Sequence, residues 1–179
     1  MMPRMETPPW YVLTGGPCTG KTTTILEFER RGYSVLPEPA RMVIAEELAA
    51  GKTIQEITAD AASLERAIVT RHIELESNEP KNQTLFLDRG IPDNIAYYRK
   101  AELPIDEYFQ HAIDSVRYRK IFLLDMIDYS NDAERYESPE EARQLHEGIR
   151  QAYEELGYEI VRVPVMPVSE RVDFILTNL

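Results

Sequence analysis

An α/β fold with a mainly parallel sheet is what the sequence predicts, and three observations lead there. Short apolar runs alternate with amphipathic stretches, as repeated strand–helix–strand units require. The run "TLFL" (84–87) is continuous rather than alternating, as in a strand buried on both faces. The third is length: 179 residues suit one domain whose core needs no disulfide or metal to hold it.

Each element follows in order. A lead-in over 1–9 has no apolar core after Arg4, so it reads as disordered and not as a secretory signal. The single domain then occupies 10–179. Residues 10–13 form a first strand and 21–31 a helix stopped by Gly32. "YSVL" (33–36) is a second strand, and 40–50 a helix with Gly51 past its end. Over 59–78 one long helix is expected, with Ala62, Leu64, Ile68, Val69, Ile73 and Leu75 on its apolar side. The third strand is 84–87, followed by helices over 91–100 and 105–118. Then come a strand at 120–124, a helix from Pro139 to about Leu156, a strand at 158–163 and a helix over 168–179. Five strands with helices on both sides result. The aromatics of 97–118 (Tyr97, Tyr98, Tyr108, Phe109, Tyr118) are expected to pack on the sheet.

Composition narrows the function. The longest apolar runs fall far short of the roughly 20 residues that span a bilayer. A net charge of −11 argues against a broad nucleic-acid surface, which needs Lys and Arg to displace counterions. A small phosphorylated ligand remains open, since local positive charge is enough for it. One cysteine, Cys18, excludes an intrachain disulfide and points to a reducing, cytoplasmic setting. His72, His111 and His146 lack metal-ligand spacing and read as surface or half-buried residues.

"GGPCTGKT" (15–22) fits G-x-x-x-x-G-K-[ST], after an apolar strand and before a helix, which is the context the pattern needs. Glycine opens backbone angles that let successive amides point inward as an anion nest. The following helix adds the positive end of its dipole. Gly15, Gly16, Pro17, Cys18, Thr19, Gly20, Lys21, Thr22 and Thr23 are therefore the nucleotide-binding candidates. Lys21 is placed to reach the β- and γ-phosphates, and the Thr22 hydroxyl to bind Mg²⁺. Thr19, Thr23 and Thr24 carry less weight, as phosphate ligands or as caps. Cys18 is either a redox-sensitive thiol at a helix start or a small side chain in a crowded turn.

Parallel sheets seat ligands outside the carboxyl ends of their strands. Acids stand at three of those ends: Glu38 in "PEPAR" with Arg41, Asp88 in "LDRG" with Arg89, and Asp125 with Asp128 in "LLDMID". Asp88 follows an apolar run, as an acid positioning Mg²⁺ does, and the alternative for it is a helix cap. Asp125 competes for the metal, but Arg89 beside Asp88 supplies a phosphate ligand. Glu38 can serve as general base, as metal ligand, as hydrogen-bond partner of a sugar hydroxyl, or as a helix-start acid favoured by the dipole. The polar segment 126–138 carries Asp132 and Arg135, with Arg143 beyond it, and has the length of a mobile cover over an active site. Arginine there can neutralise charge on a transferred phosphoryl group, or simply decorate an exposed loop.

"GGPCTGKTTTI", "PEPAR", "LDRGIPDNIAYY" and "VPVMPVSERVDFIL", in that order over nearly the whole chain, resemble the AAA-domain ATPase family of kinase-like P-loop proteins. Its relatives include a ribosylnicotinamide kinase domain and a eukaryotic GTP-binding protein of ion-channel trafficking that binds phosphatidic acid. The resemblance implies a three-layer fold with strand order 2-3-1-4-5, as in nucleoside and nucleotide kinases. It implies Asp88 and Arg89 as an acid–arginine pair, 126–138 as a lid, and Glu38 facing the acceptor hydroxyl. It also implies that "VPVMPV" packs on the nucleotide base. A hexameric motor is not expected, since no helical lid domain is present. Lys21, Glu38, Asp88, Arg89 and Arg135 are thus the expected catalytic set; Glu38, Arg41 and Arg89 face the substrate, and Thr22 and Asp88 the metal. The expected activity is phosphoryl transfer from Mg·ATP or Mg·GTP to a small nucleoside-like or phosphorylated acceptor, by a monomer or homodimer. The alternative is a slow nucleotide-dependent switch that recognises a lipid headgroup or a protein.

Overall fold

The computed structural model describes residues 7–127 and 138–179. Five strands form one all-parallel sheet: β1 (Trp10–Thr14), β2 (Val35–Leu36), β3 (Leu85–Asp88), β4 (Lys120–Leu124) and β5 (Ile160–Val163). Their order is β2-β3-β1-β4-β5, as the resemblance implied. Register brings Leu13 opposite Asp88 and Thr14 opposite Leu123, so the strand ends converge on the turn after β1.

β1 and β3 are buried along their whole length, and so is β4 apart from Lys120. Alternate side chains serve opposite layers. Trp10, Val12, Leu85, Leu87 and Ile121 meet Ala96 of α5 (Asp93–Lys100) and Ile149 and Tyr153 of α7 (Pro139–Glu155). Tyr11, Leu13, Phe86 and Phe122 meet Ile25 and Phe28 of α1 (Lys21–Arg30) and Val172 and Ile175 of α8 (Val168–Thr177). Phe28 stacks on Phe86 at 3.9 Å between ring centroids, which pins α1 over the middle of the sheet.

Two short stretches depart from the sequence reading. The helix expected over 59–78 is α4 (Ala61–Ser77), and a short helix that the sequence reading did not assign, α3 (Ile54–Ala59), stands between it and α2 (Pro39–Ala49). Thr53 and Glu56 close a capping box on α3, while the Asp60 carboxylate accepts from the Ser63 amide and starts α4. Asp60 therefore acts as a boundary. The last helix before β4, α6 (Glu107–Ser115), ends early, because Val116 is extended and carries Tyr118 into the core. α7 starts at Ser138, whose hydroxyl and Glu141 form a second capping box ahead of Pro139. Of the lead-in, residues 7–9 are tied down: Leu85 donates to Pro9 O at 3.1 Å and Arg119 to Thr7 O at 2.6 Å.

The apolar side of α4 also differs. Ile68 and Val69 are buried as expected, Leu64, Ile73 and Leu75 are half-buried, and Ala62 is exposed. His72 and Glu76 are buried instead, which corrects the reading of His72 as a surface or half-buried residue. Asn94 Nδ2 lies 2.9 Å from His72 Nδ1, so the ring has a polar partner inside. Among the aromatics, Tyr98, Phe109 and Tyr118 are buried, whereas Tyr108 stays at the surface under the Arg66 guanidinium.

Glu76 accepts from Tyr118 Oη at 2.8 Å, and Tyr118 Oη accepts from the Ile91 amide at 2.9 Å. Burial pushes the Glu76 carboxyl up to about 8, and the Tyr118 hydrogen bond offsets only part of that. Folded Glu76 thus holds its proton more tightly than the unfolded chain does. Its contribution to stability is present below about pH 4.5 and is lost as the pH rises through about 8. Glu76→Gln should flatten that dependence: chemical denaturation across pH 5–9 should show the variant gaining on the parent steadily as pH rises.

Candidate active site

The turn after β1 is shaped by its neighbours. Gly15 has φ 135°, and a Cβ there would lie 2.9 Å from the Leu124 carbonyl of β4. Gly20 has φ 76°, and a Cβ there would lie 2.6 Å from Arg171 Nη1 of α8. No other residue type fits either place without strain. No side chain caps α1, so its first amides face the loop as an anion site. Thr23 Oγ1 and Thr24 Oγ1 donate back to Gly20 O at 2.9 and 2.8 Å, and the Gly16 amide donates to His146 Nδ1 at 3.1 Å. Cys18 is half-buried with φ 63°, a strained angle for a residue with a Cβ.

Lys21 folds back over this loop. Its Nζ donates to Gly15 O and Gly16 O at 2.8 Å each and to Thr19 Oγ1 at 3.1 Å. Burial, with Arg89's like charge, lowers its ammonium to about 8 against the pull of Asp88, Glu38 and Asp93. These carbonyls fix the ammonium against the loop.

Asp88 and Arg89 lie at the end of β3, and Arg89 takes φ 75° to turn its side chain inward. Its Nε donates to Glu38 Oε1 at 2.9 Å, and its Nη1 lies 3.4 Å from Asp93 Oδ1. Arg41 holds the other Glu38 oxygen at 3.0 Å from the exposed side. Glu38 begins α2 but makes no capping bond, so one carboxylate oxygen meets Arg89 while the other pairs with Arg41 of its own helix. Burial would raise Glu38, yet Arg89 and Lys21 outweigh it and hold the carboxyl at about 2. Asp88 goes the other way: burial, reinforced by the Glu38 charge, raises it to about 6. Asp88 Oδ1 is buried with no hydrogen-bond partner among the described residues. Asp125 Oδ1, by contrast, is held by Arg162 at 2.9 Å.

That orphaned oxygen bears on magnesium. A hard cation takes oxygen ligands, and the unpartnered Asp88 carboxylate oxygen and the half-buried Thr22 hydroxyl are donors of that kind. The residues present fit the ion. Asp128, Asp132 and Arg135, and with them most of the expected lid, lie outside the described residues; Arg143 pairs with Glu140 at 3.6 Å on the surface of α7.

Four contributors escaped the sequence reading. Asp93, buried in the first turn of α5, accepts from the Thr14 hydroxyl, from Tyr153 Oη at 2.5 Å and from the Gly90 amide at 3.0 Å. It thereby braces the end of β1, α7 and Arg89 together. Glu65 on α4 is pushed up to about 7 by burial, against the charges of Arg89 and Lys100, so α4 borders the same space. His146 and Arg171 reach the loop from α7 and α8. "PDN" hinted at Asp93 as a helix-start acid; the other three carry no local signal.

Removing one partner of a buried ion pair leaves the other uncompensated. Asp93→Asn should therefore lower unfolding free energy by about 3 kcal/mol, read by urea denaturation at pH 7.

The comparisons with known proteins agree with this fold. The AAA domain family matches residues 10–171. No curated protein sequence matches the chain. Among solved structures, the NadR protein in complex with NR is similar at TM-score 0.68 and 20% identity, over 94% of this chain and 50% of that one. The chain thus spans half the length of NadR. Deoxyadenosine kinase from M. mycoides with bound dCTP is similar at TM-score 0.68 and 13% identity, over 94% and 97% of the two chains. Thymidylate kinase from Ehrlichia chaffeensis follows at 0.64 and 16%, over 94% and 96%. At these identities the likeness establishes fold. The five-stranded order, the glycine-rich turn after β1 and the family match over 10–171 together place the chain in the AAA domain family, as a kinase-like P-loop protein.

Proposed function

We propose that the chain is a small-molecule phosphotransferase using Mg·ATP or Mg·GTP. The observation that carries this reading is the Asp88–Arg89 corner facing Lys21, with one Asp88 oxygen unpartnered. A loop that only held a nucleotide would not need a second buried cation and carboxylate beside it. The NadR, deoxyadenosine kinase and thymidylate kinase likenesses support a nucleoside-like or phosphorylated acceptor.

The roles divide by charge. Amides of 15–22 and the Lys21 ammonium hold the β- and γ-phosphates. Thr22 and Asp88 would hold Mg²⁺, which neutralises charge on the β- and γ-oxygens when bound. Arg89, pinned by Glu38 and Asp93, presents its remaining N–H groups to the transferred group or to an acceptor phosphate. The acceptor oxygen forms its bond to the γ-phosphorus as the β–γ bridging P–O bond breaks, and the nucleoside diphosphate leaves. Glu38, ionised at any ordinary pH, accepts the hydrogen bond of the acceptor hydroxyl, orients it and receives its proton as the new bond forms. Burial around Asp88 and Arg89 keeps water from competing as acceptor.

A second reading, a slow nucleotide-dependent switch, draws on the same Glu38. A carboxylate held at about 2 between two arginines is a weak base. The readings separate in one assay. A panel of nucleosides, sugar alcohols and phosphorylated metabolites is offered with Mg·ATP or Mg·GTP, and nucleoside diphosphate release is followed. A transferase is expected to show release strongly raised by one acceptor; release unchanged across the panel, with a partner affinity that differs between nucleotide states, supports the switch.

Two variants then test the roles. Glu38→Gln should lower acceptor-dependent kcat by about 10²-fold with triphosphate Kd within about twofold of the parent. Lys21→Ala should weaken triphosphate binding by about tenfold or more, measured by calorimetry.

A further inference from the structure

Arg171 lies in the first turn of α8, 2% exposed, against the start of α1. Its Nη1 donates to Thr19 O at 3.0 Å, lies 3.3 Å from Thr24 Oγ1 and, more loosely, 3.5 Å from Gly20 O. Its Nη2 lies 3.5 Å from Met166 O in the turn after β5, and its Nε is buried without a partner. No carboxylate pairs with it among the described residues. A buried guanidinium facing only carbonyls and a hydroxyl is costly unless an anion sits close by.

The contacts have a directional consequence. In a trans peptide the carbonyl and the next residue's N–H point opposite ways. Holding the Thr19 carbonyl toward α8 turns the Gly20 amide away from it; the Gly20 carbonyl, which accepts from the Thr24 amide at 3.1 Å, starts α1 with Arg171 beside it and so sets the Lys21 amide in line. Gly20 must lack a side chain for this approach, since a Cβ would meet Nη1 at 2.6 Å.

We propose that Arg171 is a positioning residue for the nucleotide's phosphates: from α8 it fixes the carbonyls of the 15–22 loop so that the amides converge, and the bound polyphosphate balances its charge. The inference rests on the nucleotide-binding reading and adds to it a residue some 150 positions away in the chain. Its Nη2, 3.5 Å from Met166 O, also links the 15–22 loop to the turn after β5.

The test uses the full chain and its R171M and R171K variants. Calorimetry gives Kd for Mg·ATP, Mg·GTP and inorganic tripolyphosphate; ¹⁵N spectra follow the Gly20 and Lys21 amides; thermal melting reports the fold. R171M, which keeps an apolar stem, should weaken tripolyphosphate by about fivefold or more and lose the ligand-induced shifts of both amides. R171K keeps the charge but cannot fork between carbonyls, so its loss should fall between parent and R171M. A folded R171M that binds within less than fivefold of the parent, with both shifts intact, overturns the proposal even if its melting midpoint falls. Should R171M not fold, R171K decides: about twofold weaker binding or more supports the role, and less overturns it. A parent that gives no heat with either triphosphate or tripolyphosphate defeats the nucleotide reading itself, and this inference with it.

Discussion

Two buried cations, two buried carboxylates and a half-buried third stand side by side at the carboxyl edge of the sheet: Lys21 and Arg89 among Asp88, Asp93 and Glu38. None would be tolerated there alone, because an isolated buried charge shifts its proton or unfolds its surroundings. Together they are sustainable, and each sets the protonation of the next. Arg89 and Lys21 keep Glu38 ionised, Glu38 in turn helps raise Asp88, and burial strips proton affinity from Lys21. The site is thus poised with one carboxylate committed to arginine and another short of partners.

That balance depends on the parallel sheet. β1 and β3 are neighbours in register, with Leu13 level with Asp88 and Thr14 one residue beyond, so both strands finish at the same edge of the sheet. The core supports the placement: Phe28 on Phe86 holds α1 down on one face, while Tyr153 on the other ends in a hydrogen bond to Asp93. A single side chain on α7 therefore serves both the apolar layer and the ionic cluster. The phosphate loop is held in the same manner from outside, by His146 at its start and Arg171 at its end. Its own glycines permit the shape; its neighbours choose it.

Much was legible in the residues. The glycine-rich turn, the acids at strand ends and five apolar runs are local patterns, and local patterns survive translation into structure because backbone sterics and side-chain periodicity act over a few residues. The misreadings share a cause. His72 and Glu76 lie on the inner side of α4 because polar partners, Asn94 and Tyr118, come from other elements. Asp60 reads as part of a helix until its carboxylate is seen to cap the next one.

Sequence alone determined that a glycine-rich turn follows the first strand, that acids stand at three strand ends, and where the five strands lie, since each depends on residues close together in the chain. Which acid is left short of a partner, which arginine turns inward, and which distant helices brace the loop were decided by tertiary structure. Asp88 and Asp125 are both strand-end acids, told apart in sequence by the Arg89 next to Asp88, and in space by Arg162 packed against Asp125 and Glu38 near Asp88. Charge interactions in a low-dielectric interior act over several ångströms of space, whatever the separation along the chain.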